Sequence, residues 1–469
     1  MTFRCDTIAA IATAMSDSGI GIVRISGEDA IQIANKIFRS VNPDKKLIHV
    51  KSHTVHYGFI YDDETFLDEV MVIVMKAPNS YTTEDTVEIN CHGGVLMVNR
   101  ILETVLKYGA RLAEPGEFTK RAFLNGRIDL SKAEAVIDII HSKNEFALQA
   151  GTAQLKGSVS KVVTSMREKV LYEIAFIESA LDDPEHISLD GFKERISATV
   201  SNLITEISKL IDSADNGKML KEGIHTVILG KPNAGKSSLM NILVGEEKAI
   251  VTNIAGTTRD ILEENIKLHG IGLNIIDTAG IRETEDIVEK IGVERALKCA
   301  EKADLVIYVV DSSVPLDESD YAIMDFMQTK KSIVLLNKTD LETVVTDDKL
   351  KEVLLEIVGE PAKNFPIIKT STKENIGIDI FEEQIKKMFF NGEITFNDEV
   401  YITNLRHKEA LTDSKKSLLM VQRSIEEDMP EDFLSIDLMS AYASLGTIIG
   451  EEVGEDLVNE IFSKFCMGK

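Results

Sequence analysis

The chain is short of cysteine, of long apolar runs and of positive charge. Its four cysteines, Cys5, Cys91, Cys299 and Cys466, lie too far apart for any zinc-ligand spacing, so they read as free thiols in a reducing compartment. No apolar run approaches the ~20 residues that cross a bilayer, and no basic-plus-apolar segment marks the N-terminus as a secretion signal. These absences predict a soluble, cytoplasmic protein with no membrane partner. Lysine and arginine total 52 against 77 aspartates and glutamates, a formal charge of −25. A broad grip on nucleic acid usually needs a basic surface, so the chain is not expected to hold RNA or DNA strongly by itself. The acidity reads first as a well-hydrated surface. The remaining composition, 44% hydrophobic and 28% charged over 469 residues, is that of a folded protein with about two to four domains.

Against this plain background stands Gly230-Lys231-Pro232-Asn233-Ala234-Gly235-Lys236-Ser237, which fits the phosphate-cradling pattern G-x-x-x-x-G-K-[ST]. The β-branched run Thr226 to Leu229 precedes it, and a helical pattern begins at Ser238, Leu239 and Met240. Strand, glycine loop and helix are the order the chemistry needs. The loop's N–H groups and the helix N-terminus meet phosphate, Lys236 reaches the outer phosphates and the Ser237 hydroxyl ligates Mg²⁺. Ala234, Gly235 and Ser238 complete this part of the GTP-binding set. Asp277-Thr278-Ala279-Gly280 follows the strand-like Leu273 to Ile276, where Asp277 can hold the Mg²⁺ shell through water and Gly280 can offer its N–H to the terminal phosphate. Asn337-Lys338-Thr339-Asp340 follows Ile333 to Leu336, and an Asp there accepts both guanine N–H donors, which adenine cannot supply. Ser371-Thr372-Lys373, after Pro366 to Ile368, falls where a base-contacting turn belongs. Four motifs in this order make GTP the nucleotide.

The catalytic residue is less plain. Ras-like GTPases place a water-orienting glutamine just after the D-T-A-G turn, and here that position is Ile281. Thr252-Asn253-Ile254-Ala255-Gly256-Thr257-Thr258-Arg259-Asp260 reads as the first switch, with Thr258 completing the Mg²⁺ site. Glu289 lies in the second switch and could orient water, or it could be an ordinary solvated helix carboxylate.

The first ~120 residues read as mixed α and β. Strands are expected at Ile20 to Ile25, His53 to Tyr61, Val70 to Met75 and Thr86 to Asn90. Helices are expected at Asp29 to Arg39 and, after a turn at Cys91 to Gly94, at Val95 to Val105. From about Ser131 the pattern is helical, with an apolar stripe of Val159, Val162, Val163, Met166, Val170, Ile174, Ile177 and Leu181. Asp182-Asp183-Pro184 interrupts it, and Leu203, Ile207 and Leu210 resume it. Helix returns from Leu405. The helical stretches on either side of the nucleotide pattern are short of a core alone, so they are expected to pack as one bundle with the GTPase domain inserted. The fold class is thus multidomain α/β: an N-terminal α+β domain (residues 1–119), a helical bundle (120–220 and 389–469) and an inserted Ras-like, doubly wound P-loop domain (221–388).

Further segments carry a family resemblance. They are Gly21-Ile22-Val23-Arg24-Ile25-Ser26-Gly27, Pro78-Asn79-Ser80-Tyr81-Thr82, His92-Gly93-Gly94, Pro115-Gly116-Glu117-Phe118, Arg121-Ala122-Phe123-Leu124-Asn125, the phosphate loop, Ala255 to Asp260, and the terminal Phe465-Cys466-Met467-Gly468-Lys469. With these the chain resembles, over essentially its full length, the MnmE (TrmE) family of tRNA-modification GTPases. The resemblance implies a constitutive homodimer whose N-terminal domain binds a 5-formyl-tetrahydrofolate-type one-carbon donor. Arg24, Glu88 and Lys469 match the folate contacts, and Arg127 stands where many members have lysine. A carboxylate such as Glu88 suits the paired N–H donors of a pterin edge, and cations suit the glutamate tail. From the residues alone Arg24 and Glu88 would be a cross-strand or surface charge pair. Cys466 matches a functionally required cysteine, where the residues alone suggest a small buried side chain.

The resemblance further implies K⁺ held by Asn233 and by the backbone of Thr252, Ile254 and Thr257, in place of an arginine finger. It makes Glu289 the water-orienting residue, with hydrolysis accompanying pairing of two GTPase domains. It also implies an FAD-dependent MnmG-type partner, the FAD residing on that partner. With it the chain would add an aminomethyl or carboxymethylaminomethyl group to the wobble uridine of certain tRNAs. Leu181-Asp182-Asp183-Pro184 departs from the usual Ile-Asp-Phe-Pro-type sequence and reads as a change of helix boundary. A ribosome-assembly timer and a folate-dependent transferase with a vestigial nucleotide domain are the competing readings. The terminal Cys-x-Gly-Lys opposes the first and the complete guanine and phosphate motifs oppose the second.

Overall fold

The computed structural model describes residues 6–183, 186, 191–246, 263–268, 271–276, 303–390, 400–451, 453–466 and 468. Two compact units partition the chain: residues 1–140, 152–204 and 410–469 form one, residues 141–151 and 205–409 the other.

The first unit begins with β1 (Ile8–Ile11), β2 (Ser18–Ser26), α1 (Ala30–Ile37), β3 (Phe38–Ser40), β4 (Thr54–Asp62), β5 (Thr65–Met75), β6 (Thr86–Gly93), α2 (Val95–Lys107) and β7 (Arg111–Leu112). The strands make one seven-stranded sheet in the order β3-β4-β5-β6-β2-β1-β7. Alternation decides its faces. Val23 and Ile25, Val70, Val72 and Val74, and Val87 and Ile89 point to one side, where α1 and α2 close a core. Val55, Tyr57, Phe66 and Met71 leave the other side apolar and exposed.

Two expectations need correction here. The helix expected to run to Arg39 ends at Ile37, because Phe38 is buried and pairs with Ile60 in the sheet. The turn expected at Cys91 is still strand: Gly21 faces Cys91 and Ser18 faces Gly93, so the β2 ladder draws β6 out to Gly93.

α3 (Glu117–Leu124), α4 (Leu130–His141), α5 (Glu145–Leu155), α6 (Ser158–Asp182) and α7 (Phe192–Glu222) follow. α6 carries most of the apolar stripe read from the sequence: Val159, Val163, Met166, Val170, Ile174 and Ile177 are buried, whereas Val162 is half-buried and Leu181, in the last turn, is exposed.

The second sheet is a doubly wound α/β arrangement. Its strands are β8 (Ile224–Leu229), β9 (Glu263–Leu268), β10 (Ile271–Ile276), β11 (Leu305–Asp311), β12 (Lys331–Asn337) and β13 (Ile367–Lys369). Their order is β13-β12-β11-β8-β10-β9, parallel except for β9. α8 (Lys236–Glu246), α9 (Glu318–Phe326), α10 (Asp347–Val358) and α11 (Ile378–Phe390) lie in the same stretch of chain. Separate buried clusters, one with Leu239 and Phe381 and one with Met324 and Leu350, cover the two sheet faces. β11 is buried at every position. The chain closes with α12 (Leu405–Glu426), α13 (Glu431–Ile449) and α14 (Glu455–Ser463). α13 packs along α6, joining helices from either side of the nucleotide pattern. Among the described residues no helix is long and apolar enough to cross a membrane.

Candidate functional site

In the second unit, the phosphate loop leaves β8 beside β10 and β11, the Asn337 motif leaves β12, and the Ser371 turn follows β13. All three emerge at the carboxyl ends of parallel strands, where open α/β sheets bind ligands. The loop needs unusual backbone: φ is 151° at Gly230, 60° at Asn233 and 108° at Gly235. A Cβ on Gly235 would lie 2.1 Å from the Asn337 amide nitrogen, so glycine is required there on space as well as on φ. Asn337, fully buried, donates to the Ala234 carbonyl (2.8 Å) and accepts from the Thr372 N–H (3.1 Å). It thereby joins the glycine loop, the end of β12 and the turn at Ser371. Ser371 donates to Asp340 (2.8 Å), which fixes that carboxylate.

Lys338, at φ 62°, reaches back to Asp311 at 2.6 Å. Burial pushes the Asp311 carboxyl up, but Lys338 and Ser313 together hold it below the ordinary carboxylate value. Lys236 opens α8, and its ammonium donates to the carbonyls of Gly230 (2.8 Å) and Lys231 (2.7 Å). Burial lowers its pKa. Asn233, Ser237, Ser238 and Lys373 are exposed. The cradle around Gly235 and the exposed Ser237 hydroxyl suit a nucleotide phosphate with Mg²⁺, and Asn233 is open to a cation. Thr252, Asn253, Ile254, Ala255, Gly256, Thr257, Thr258, Asp277, Thr278, Ala279, Gly280, Ile281 and Glu289 lie outside the described residues.

In the first unit, Arg24 and Glu88 face each other across β2 and β6, with Nε 2.8 Å from the carboxylate. They are the cross-strand pair that the residues alone suggested, but more is gathered around them. Arg24 Nη1 donates to the Gly468 carbonyl at 2.9 Å, so the C-terminal motif lies on the sheet. The Arg24 guanidinium sits 5.7 Å from the Tyr81 ring and 5.6 Å from the Phe118 ring. The exposed Arg127 stacks on the same Tyr81 at 4.5 Å, and the Tyr81 hydroxyl bonds Thr119 (2.9 Å). Cys466 is exposed rather than a small buried side chain, and its carbonyl accepts from Gly116 (3.3 Å). Gly116, at φ 68°, lets α3 approach α14, since a Cβ there would lie 2.6 Å from the Phe462 carbonyl. Lys469 lies outside the described residues.

The sequence reading missed several partners. A cavity of about 460 Å³ lies between α3 and α14, lined in part by Arg111, Glu117, Lys120, Arg121 and Phe462; Arg24, Glu88 and Arg127 are not in its wall. Beside it Arg121 pairs with Asp6 (2.9 Å), Glu84 (3.1 Å) and Glu117 (3.1 Å), while Arg111 pairs with Asp6 and Glu117, both at 2.7 Å. These charges are taken up in pairing with one another, so the cavity has less claim to chemistry than the Arg24 cluster, despite its size. Among the described residues no group of three or more His, Cys, Asp or Glu is placed to hold a metal ion.

Two family models and several relatives match the chain. A family model described as "GTP-binding protein TrmE N-terminus" matches residues 7–127, and one described as "MnmE helical domain" matches residues 130–466. A protein of Lachnoclostridium phytofermentans named tRNA modification GTPase MnmE is 58% identical over 466 residues, covering 99% of this chain and all of the relative. Proteins of the same name from Thermoanaerobacter pseudethanolicus and Clostridioides difficile are each 47% identical, over 99% of both chains.

Proposed function

The chain belongs to the MnmE (TrmE) family of tRNA modification GTPases, which are GTP-hydrolysing enzymes, and on that premise we propose that it divides the work of wobble-uridine modification between its parts. Residues 221–388 bind and cleave GTP, residues 1–119 hold a reduced folate and form a homodimer, and residues 120–220 with 389–469 make the helical domain around the GTPase. Together with an MnmG-type FAD protein, the chain installs an aminomethyl or carboxymethylaminomethyl group at C5 of the wobble uridine of certain tRNAs, in the cytoplasm.

One observation carries the folate reading. Arg24, Glu88 and Arg127, from distant stretches of sequence, gather about Tyr81 with the Gly468 carbonyl among them. Such a set can offer cations to a glutamate tail and a carboxylate to a pterin edge. The exposed apolar sheet face at Val55, Tyr57, Phe66 and Met71 supports a homodimer. In the nucleotide domain Lys236 leaves its loop carbonyls for the outer phosphates, and Asp340, steadied by Ser371, selects guanine. Ser237 with Thr258 would hold Mg²⁺; Asn233 with the Thr252, Ile254 and Thr257 backbone would hold K⁺. These ions supply positive charge beside the phosphates. Glu289 orients the attacking water, the role that Ile281 cannot fill, and Cys466 serves the modification chemistry.

Nucleoside analysis of tRNA from cells lacking the protein tests the reading. The deletion should lose the wobble modification, wild type should restore it, and Arg24→Ala and Lys236→Ala should not. Arg24→Ala should also lose reduced-folate binding while Lys236→Ala keeps it. Fully modified wobble uridine in the deletion strain would end the proposal.

A further inference from the structure

We propose that Lys231 is a positioning residue for GTP hydrolysis: its side chain ties the phosphate loop to the start of α9 and so sets where Lys236 waits for phosphate. Lys231 lies inside the loop, yet its ammonium is bonded to the segment that opens α9. It donates to the Pro315 carbonyl (3.0 Å) and Asp317 (3.0 Å) and pairs with Asp320 at 2.8 Å. Its side chain is 14% exposed and that of Asp320 1%. The anchor is itself held. Tyr308, on the buried strand β11, donates to Asp320 (2.7 Å), and Asp320 accepts from the Asp317 N–H (3.0 Å). Asp317 caps α9 by accepting from Ser319 and Asp320 in a capping box.

The other end of Lys231 faces the chemistry. Its backbone carbonyl accepts from the Lys236 ammonium (2.7 Å) and from the Ala234 N–H (3.2 Å). One residue therefore spans from a rigid anchor to the ammonium that must meet the nucleotide. A lysine at a loop surface could stay in water at no cost, and a buried ion pair is weak support for net stability. What the pair supplies is geometry. The loop has positive φ at Gly230, Asn233 and Gly235, and backbone of that kind persists only where its surroundings over-determine it. Asn337 fixes Ala234 on one side and Lys231 fixes the other. Burial lowers the Lys231 pKa, but Asp320 and Asp317 together raise it above the ordinary lysine value, so the tether stays charged at neutral pH.

The inference rests on the chain hydrolysing GTP. The test uses the full-length protein and compares wild type with Lys231→Met, Lys231→Arg and the double variant Asp317→Asn with Asp320→Asn. It measures kcat and KM for GTP, the Kd of a fluorescent GDP, and Tm. Misaimed donors weaken the transition state more than the ground state, so Lys231→Met should lower kcat about tenfold or more while the GDP Kd moves about threefold or less. Lys231→Arg should recover most of kcat, because arginine can still reach both carboxylates. A Lys231→Met protein with lowered Tm but wild-type kcat overturns the inference, since the pair would then be structural only. Should Lys231→Met fail to fold, the double variant Asp317→Asn with Asp320→Asn, which removes both carboxylate partners, decides: a reduced kcat at unchanged Kd supports the tether, and an unchanged kcat overturns it. Absence of turnover in wild type would instead sink the GTPase reading.

Discussion

Replacing Arg24 with methionine should loosen the C-terminal motif from the sheet and destabilise the first unit. The substitution removes the 2.8 Å contact with Glu88 and the 2.9 Å bond to the Gly468 carbonyl. The Arg24 and Glu88 side chains are only 14% and 17% exposed, so water replaces the lost cation poorly. Leaving a largely buried carboxylate unpaired costs about 1–3 kcal/mol, and the charge-assisted bond to the carbonyl is worth about 1.5–3 kcal/mol. The two overlap, because one guanidinium serves both, and we expect a total of about 2–4 kcal/mol, below the ~3–5 kcal/mol of a fully buried broken pair. For a unit of this size that lowers Tm by roughly 4–16 °C. Calorimetry on the full chain gives the first number. The rate at which carboxypeptidase trims the C-terminus, read by mass spectrometry, gives the second. Glu88→Gln keeps an acceptor for Nε and should cost less than Arg24→Met. The double variant should show coupling of at least about 0.5 kcal/mol, as contacting residues do. An Arg24→Met protein with wild-type Tm and an unchanged trimming rate would refute the reasoning.

Asp340→Asn should lower GTP affinity by about a thousandfold or more, because an amide cannot accept both guanine N–H donors, and should favour xanthosine triphosphate; nucleotide competition binding checks both, and retained GTP preference would remove Asp340 from the base site. Gly116→Ala should cost about 1–3 kcal/mol, since alanine meets both a positive φ and the Phe462 carbonyl at 2.6 Å; denaturant unfolding with an unchanged midpoint would contradict this. His92 should titrate above the ordinary imidazole value, because its hydrogen bond to Asp68 favours the charged ring. A raised folded-state pKa means that the pair stabilises fully below the unfolded value and fades as pH rises through the folded one. NMR titration should give a midpoint that falls in Asp68→Asn, and a wild-type midpoint at the free-imidazole value would dismiss the pairing. Iodoacetamide at pH 8 should alkylate the exposed Cys466 quickly and spare Cys91, whose thiol is pushed up to about 11 by burial and by Asp68. Equal labelling of the two in peptide maps would contradict that placement.

The nucleotide site was legible where short local patterns carry the physics. The loop from Gly230 to Ser237 and the turns at Asn337 and Ser371 sit at strand ends because chain geometry over a few residues requires it. β11 escaped notice although it is wholly buried. A parallel strand covered on both faces has no alternation to betray it. The limits of β6 and α1 were set by partners distant in sequence, Gly21 and Ile60, which outweighed local preference. Arg24 and Glu88 were found through the family likeness; their own neighbourhood describes only a charge pair. Nothing local could have joined Arg24 to Gly468, Arg121 to Asp6, or Lys231 to Asp320, because such pairings depend on how the chain returns to itself.

The bond from Arg24 to Gly468 joins residues 444 positions apart. Domains mature as synthesis proceeds, and β1 to β7 can pair early, but Arg24 must wait for this partner until the whole intervening stretch, with the entire second sheet inside it, has emerged. A nascent chain paused late in elongation would already hold its second sheet while Arg24 still lacked its bond to Gly468. Order of birth thus makes the closing of the first unit by its own C-terminus the last step of its assembly.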